Sequence, residues 1–219
     1  VPGLDFCALV GAIRQVSDNL TAQAGRAVNI SLTLRNWMIG AYIDEYELCG
    51  ADRANYGDKL LVNLSHELKK HGISNCGRRQ LYNYLTFYRF YPQIVRTVLA
   101  QSSHLLPQNI NNAIVRTASA QCIVSPEKLI SSLSYSHFEL LIGFDDELKR
   151  TFYEIECLRG NWSVRELRRQ INSLYFERSG LSENKEKLAE LAQSGTEKSE
   201  PKIAVRDPYI FEFLGIKSR

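Results

Sequence analysis

The sequence predicts a mainly α fold: a helical bundle with helix-turn-helix or winged-helix-like elements and a small β wing as a candidate addition. Three observations lead there. Apolar residues recur at every third or fourth position over most of the 219 residues. No proline falls between Pro2 and Pro92. Basic side chains gather just after two glycine- or asparagine-bearing turns, where a helix-turn-helix would carry them.

The helices follow in order. Over 4–24 the stripe is Leu9, Ile13, Val16 and Leu20, and over 27–48 it is Val28, Leu32, Trp37, Ala41, Ile43 and Tyr46. Both read as long amphipathic helices. Gly40 inside the second costs about 1 kcal/mol relative to Ala, which implies close approach of another helix. Residues 49–59 connect to a helix over 58–70 with Leu60, Leu61, Leu64 and Leu68 inward. "HGISNCG" is the turn, with Gly72 as its C′ residue and Ser74 or Asn75 as the next cap. A helix over 78–91 ends before Pro92. Residues 100–126, with Pro107 and Pro126, suit a short helix or a two-stranded wing. Helices follow over 136–143, 145–159 and 163–178, the last opened by a Ser163–Glu166 capping box. Residues 181–206 are a charged linker, and 207–219 are apolar and aromatic again. The organisation read from this is 1–50 long helices suited to dimerisation, 51–180 the helix-turn-helix domain, then linker and tail.

Composition limits function. A hydrophobic content of 44% suits a packed core, and a net charge of only +3 excludes a polybasic coat. A nucleic-acid surface would have to come from local clustering. No apolar run approaches the roughly 20 residues of a membrane span, and no basic segment precedes the first apolar stretch as in a signal peptide. Cysteines 7, 49, 76, 122 and 157 are odd in number and form no CxxC pair, which fits reduced thiols rather than a disulfide framework or zinc site. The expected setting is cytoplasmic, with no membrane partner, no cofactor and no metal. "HELKKH" sets His66 and His71 five apart, about 140° around a helix, too far for one ion. Glu183 and Lys185 have the spacing of a nuclease acid–lysine pair, but such pairs lie on a strand with a second acid earlier, and here the setting is a charged helix-or-linker stretch. No phosphate-loop, dinucleotide or nucleophile-elbow motif occurs, so no catalytic residue is assigned.

The segment "KKHGISNCGRRQLYNYLTFYRFYP" holds Lys69, Lys70, Arg78, Arg79 and Arg89 and no carboxylate. Leu81, Tyr84, Leu85 and Tyr88 make its buried stripe. Arg79, Asn83 and Thr86 take the opposite face, with Arg78 and Gln80 in the first turn. In a helix-turn-helix the start of the second helix meets base edges; Arg suits guanine, and Asn and Gln suit adenine. Lys69 and Lys70 would meet phosphate, or simply answer the helix dipole. "NWSVRELRRQINSLYFER" is a second candidate, with Val164, Leu167, Ile171, Leu174 and Tyr175 inward and Arg165, Arg168, Arg169 and Asn172 outward. Cations in a first turn oppose the dipole, so Arg78 and Arg165 need a partner, either phosphate or a nearby carboxylate.

"NWMIGAYI", "YGDKLLVNLSHEL", "RRQLYNYLTFYRFYP", "LSYSHFELL", "RTFYEIECLRGNWSVRELRRQINSLYFER" and "DPYIFEFLG" together resemble the N-terminal domain of the YhcG family of bacterial proteins, over about 30–215. The resemblance implies a winged-helix-like helical domain that precedes a PD-(D/E)xK nuclease-like domain, which opens with a segment like "DPYIFEFLG". That C-terminal domain is an expected partner lying outside this sequence. The family's usual serine before the arginine pair is Gly77 here. The resulting expectation is a non-catalytic DNA-binding or DNA-targeting domain that positions a nuclease-like domain. The alternatives are an oligomerisation module whose arginines grip acidic helices, and an intact small nuclease, which would need an acid cluster not found in the sequence.

Overall fold

The computed structural model describes residues 6–49, 59–102, 104, 106 and 124–179. Among these the secondary structure is helical, without a strand. The helices are α1 (Phe6–Cys49), α2 (Leu60–Lys70), α3 (Arg78–Phe90), α4 (Val95–Ser102), α5 (Pro126–Ser132), α6 (Tyr135–Leu141), α7 (Glu147–Gly160), α8 (Val164–Asn172) and α9 (Tyr175–Arg178). Most of 100–126, the stretch expected to hold a short helix or a wing, lies outside the described residues, as do the linker and the tail.

The two N-terminal stretches form one helix, not two. Gly25 is a weak helix former, but it is buried within the helix and does not interrupt it, and α1 runs unbroken for 44 residues. Its halves differ. Residues 6–24 are exposed throughout, while Leu32, Leu34, Trp37, Ala41 and Ile43 are core. The inner half seats α3. A Cβ added at Gly40 would overlap the Tyr84 carbonyl and come within 2.9 Å of Tyr88 Cβ, which explains the glycine. Trp37 meets Tyr88 edge-on at 5.0 Å, and its Nε1–H donates to the Tyr91 carbonyl at 2.9 Å.

On its other flank α3 meets α6. Phe87 contacts Phe138 at 4.8 Å and Tyr135 at 5.7 Å, and Tyr84 contacts Tyr135 at 5.3 Å. Phe87 therefore belongs to the core although it lies off the Leu81–Tyr88 stripe. Helix α7 closes the far side. Buried Glu154 accepts from Tyr91 Oη at 2.6 Å, and burial pushes its carboxyl up to about 7. Arg150 stacks over Phe90 at 4.4 Å and donates to the Phe144 carbonyl at 2.8 Å.

The expected helix over 163–178 is broken. Leu174 adopts φ 54°, which is costly for a branched side chain, and separates α8 from α9. The break turns the last segment so that Phe176 enters the core against Phe152, and Leu174 is left 55% exposed instead of buried. Helices α4 and α5 were not expected as such; Ser125 caps α5 through its side chain, and Pro126 opens it.

Candidate nucleic-acid interface

The turn before α3 is built backbone first. At the end of α2 the Ile73 N–H reaches the Leu68 carbonyl and the Gly72 N–H the Lys69 carbonyl, both at 3.0 Å, with Gly72 at φ 73°. This is the Schellman stop that Gly72 implied. Asn75 is not a cap: it sits at φ 58°, and its carbonyl accepts from Tyr84 Oη at 2.8 Å. Arg35 of α1 donates to the Ser74 carbonyl at 3.1 Å. Gly77 takes the N-cap position and supplies no side-chain bond. Arg78 and Arg79 thus leave a turn pinned from two sides. Both are exposed, and Tyr82 beside them is 59% exposed. Arg35 and the Tyr84 hydroxyl escaped sequence reasoning, because their partners are fixed by tertiary placement.

Not every expected contact on α3 is available. The Asn83 amide donates to Glu139 of α6 at 3.2 Å, so this side chain is engaged between helices and lies beside a carboxylate. Gln80 is half-buried. Lys70 is paired with Glu67 at 2.7 Å, and Lys69 is exposed. Arg89 is held by Asp44 at 2.7 Å and Glu47 at 2.9 Å, so the far end of α3 is acidic ground.

Helix α8 is presented differently. Asn161 at φ 47° ends α7, and the Trp162 N–H returns to the Cys157 carbonyl at 3.2 Å. Ser163 Oγ then accepts from the Glu166 N–H at 3.2 Å. Only half of the expected capping box forms: the Glu166 carboxylate instead accepts from Arg169 and Gln170, each at 2.7 Å. Those bonds, Gln170 first, hold its carboxyl below the usual range. Leu167 is buried, and Val164 and Ile171 are half-buried. Arg165, Arg168, Arg169 and Asn172 are all exposed and share one face, roughly 100° wide at 100° per residue.

Helix α6 joins the two arginine-led helices, packing against both α3 and α8. Its first turn carries a further link. His137 Nδ1 accepts from the Ser134 N–H at 3.1 Å and lies 2.8 Å from Ser134 Oγ. That arrangement leaves Nε2 to donate to the Trp162 carbonyl at 2.9 Å, so one imidazole ties α6 to the turn that launches α8.

The ion pairs are selective. Arg89, Arg159, Arg169, Lys70 and Lys149 each have a carboxylate within 3 Å. Lys69, Arg78, Arg79, Arg165 and Arg168 have none among the described residues. His66 and His71 are both exposed, and no group of three or more His, Cys, Asp or Glu suited to a metal occurs among the described residues. Cys7, Cys76 and Cys157 are free thiols. No described helix is long and apolar enough to cross a membrane.

Residues 12–178 match the family described as the DUF1016 N-terminal domain. The chain belongs to this family. It is similar to the protein named "Putative nuclease YhcG" of Escherichia coli (strain K12), 34% identical over 210 residues, which cover 91% of this chain and 53% of the relative. The chain therefore spans about half the length of that curated relative. No solved structure matches it.

Proposed function

We propose that this DUF1016 N-terminal domain contacts DNA and serves as the targeting part of a nuclease-family protein in the cytoplasm. The main contact is the Arg165–Arg168–Arg169–Asn172 face of α8, and the start of α3 is a second. The observation that supports the reading is the set of arginines without carboxylates. Arg78, Arg79 and Arg165 lie in first turns, where the helix dipole disfavours a cation, and none is ion-paired with a described carboxylate; the first turn of α3 holds no acid, and the Glu166 of α8 is paired with Arg169. A phosphate would supply that charge. Asn83 contributes through its bond to Glu139 rather than by reading a base. The family relative's name agrees with a nucleic-acid substrate, and the exposed Tyr82 offers a ring to stack beside the Arg78–Arg79 pair.

Fluorescence anisotropy with duplex DNA at two salt concentrations tests this. Binding should weaken steeply with salt. Arg165→Ala and Arg168→Ala should each lower the slope of log K against log salt by about 1. Salt-independent binding, or affinity untouched by both changes, would exclude the α8 face as the contact.

A further inference from the structure

We propose that the outer half of α1 is a coiled-coil seam that pairs with the same seam of a second copy of this chain. Phe6, Leu9, Ile13, Val16 and Leu20 are spaced three, four, three and four residues apart, the repeat that keeps a stripe facing a partner helix. All five are uncovered, from 43% exposed at Leu9 to 81% at Phe6, with Val10 at 49% beside them. The same spacing runs on through Gln23 and Ala27 to Ile30, Leu34, Trp37 and Ala41. There it packs against the chain's own core, so the stripe is one surface covered along half its length.

Residues 6–24 are poorly suited to stand as a lone helix. Gly11, Ser17, Asp18, Asn19, Thr21 and three β-branched apolar residues all lower helix propensity, and an unsupported helix of this length is marginal in water. Something must cover the stripe for the helix to persist, and its flanks indicate what. With Phe6, Ile13 and Leu20 at the a positions, the e and g positions up to residue 24 are Val10, Ala12, Ser17, Asn19 and Ala24. None is charged. The only ion pair there, Arg14–Asp18, lies on the outer face. A copy of the same seam therefore meets no like-charge repulsion, whereas a charged foreign helix would find no complementary flank. The five seam positions and Val10 supply six apolar side chains from each copy.

Sedimentation of the full chain at tens of micromolar tests the pairing, which does not depend on DNA binding. The wild type should have a mass of at least twice 25.0 kDa. Ile13→Glu with Leu20→Glu should give a monomer that has lost helix content over 6–24 but keeps the cooperative melting of the folded body, because both side chains are exposed and lie outside the core cluster. Arg14→Ala, off the seam, should keep the wild-type mass. As a second probe, Ile13→Cys in a Cys7→Ser background should form an intermolecular disulfide on mild oxidation if the seams run parallel. A monomeric wild type would overturn the proposal. So would a double-Glu variant that keeps its mass, which would locate any assembly elsewhere on the chain.

Discussion

Helices α3 and α8 both carry arginine in their first turn, and the fold treats them oppositely. Helix α3 is gripped on two sides, by α1 through Tyr84 and Tyr88 and by α6 through Tyr84 and Phe87, with Leu81 and Leu85 also buried. Arg78 and Arg79 occupy the exposed first turn of an otherwise structural helix that has no side-chain cap. Helix α8 has Leu167 as its single fully buried residue, a serine cap, and a face given over to cations. A helix committed to the core can spare few positions for a ligand, as Asn83 illustrates. A helix held by one buried leucine, its caps and a histidine clamp can offer most of its surface. The difference predicts that stability responds mainly to changes around α3 and DNA affinity mainly to changes on α8.

The largest expected effect is at the seat of α3. Gly40→Ala places a methyl against the Tyr84 backbone, which cannot move without shifting the helix, and should cost about 3 kcal/mol in a denaturant titration. A cost below half a kcal/mol would mean that α1 and α3 are not locked together.

Next is the far end of α3, where Tyr91 meets Glu154. The Glu154 carboxyl is raised from 4.5 to about 7 by burial, so the folded state favours its protonated form. The associated stability is full below pH 4.5 and is lost as pH rises through about 7. The swing is roughly 3 kcal/mol at 1.36 kcal/mol per unit. Glu154→Gln can still accept from Tyr91 and should flatten the decline between pH 5 and pH 8, as read from melting temperatures. An unchanged slope would show that Glu154 does not titrate there.

The comparison sharpens on affinity. Arg165→Ala with Arg168→Ala should weaken DNA binding more than Arg78→Ala with Arg79→Ala, by about 1–3 kcal/mol if α8 reads base edges. All four side chains are exposed, so each change should move stability by about 0.5 kcal/mol or less. The reverse order of affinities would make α3 the recognition helix.

The caps give the smallest effects. Ser163→Ala should cost about 1 kcal/mol, because its hydroxyl accepts the Glu166 N–H. Gly77→Ser places a hydroxyl at an N-cap already in extended geometry, with open space around it, and should gain a few tenths of a kcal/mol.

Local chemistry was legible and long-range pairing was not. Gly72, Gly40 and the Leu81–Tyr88 stripe declare themselves, because a left-handed stop, a close helix crossing and a buried face each demand a residue type at a fixed offset. The break at Leu174 does not, since leucine gives no warning of positive φ; it follows from Phe176 reaching the core beside Phe152. Asn83 looked free for DNA because Glu139 lies 56 residues away in sequence. The union of 4–24 with 27–48 was missed because their apolar stripes looked like two faces, one of which stays uncovered. For the interface, the arginines were legible, but which of them lack acidic neighbours could be known only from the assembled helices.

The continuity of α1 has a mechanical consequence. At 1.5 Å per residue the rod is about 66 Å long, and no proline gives it a joint. Its outer stripe and its seat under α3 therefore share one rotational phase. Each residue inserted or deleted between Leu20 and Asn29 would swing the outer stripe by about 100° about the rod axis while the body stayed put. Seven inserted residues would bring it back to within about 20°. The length of the span between those two positions thus acts as a dial, setting the direction in which whatever grips the outer end can pull on the helix beneath Arg78 and Arg79.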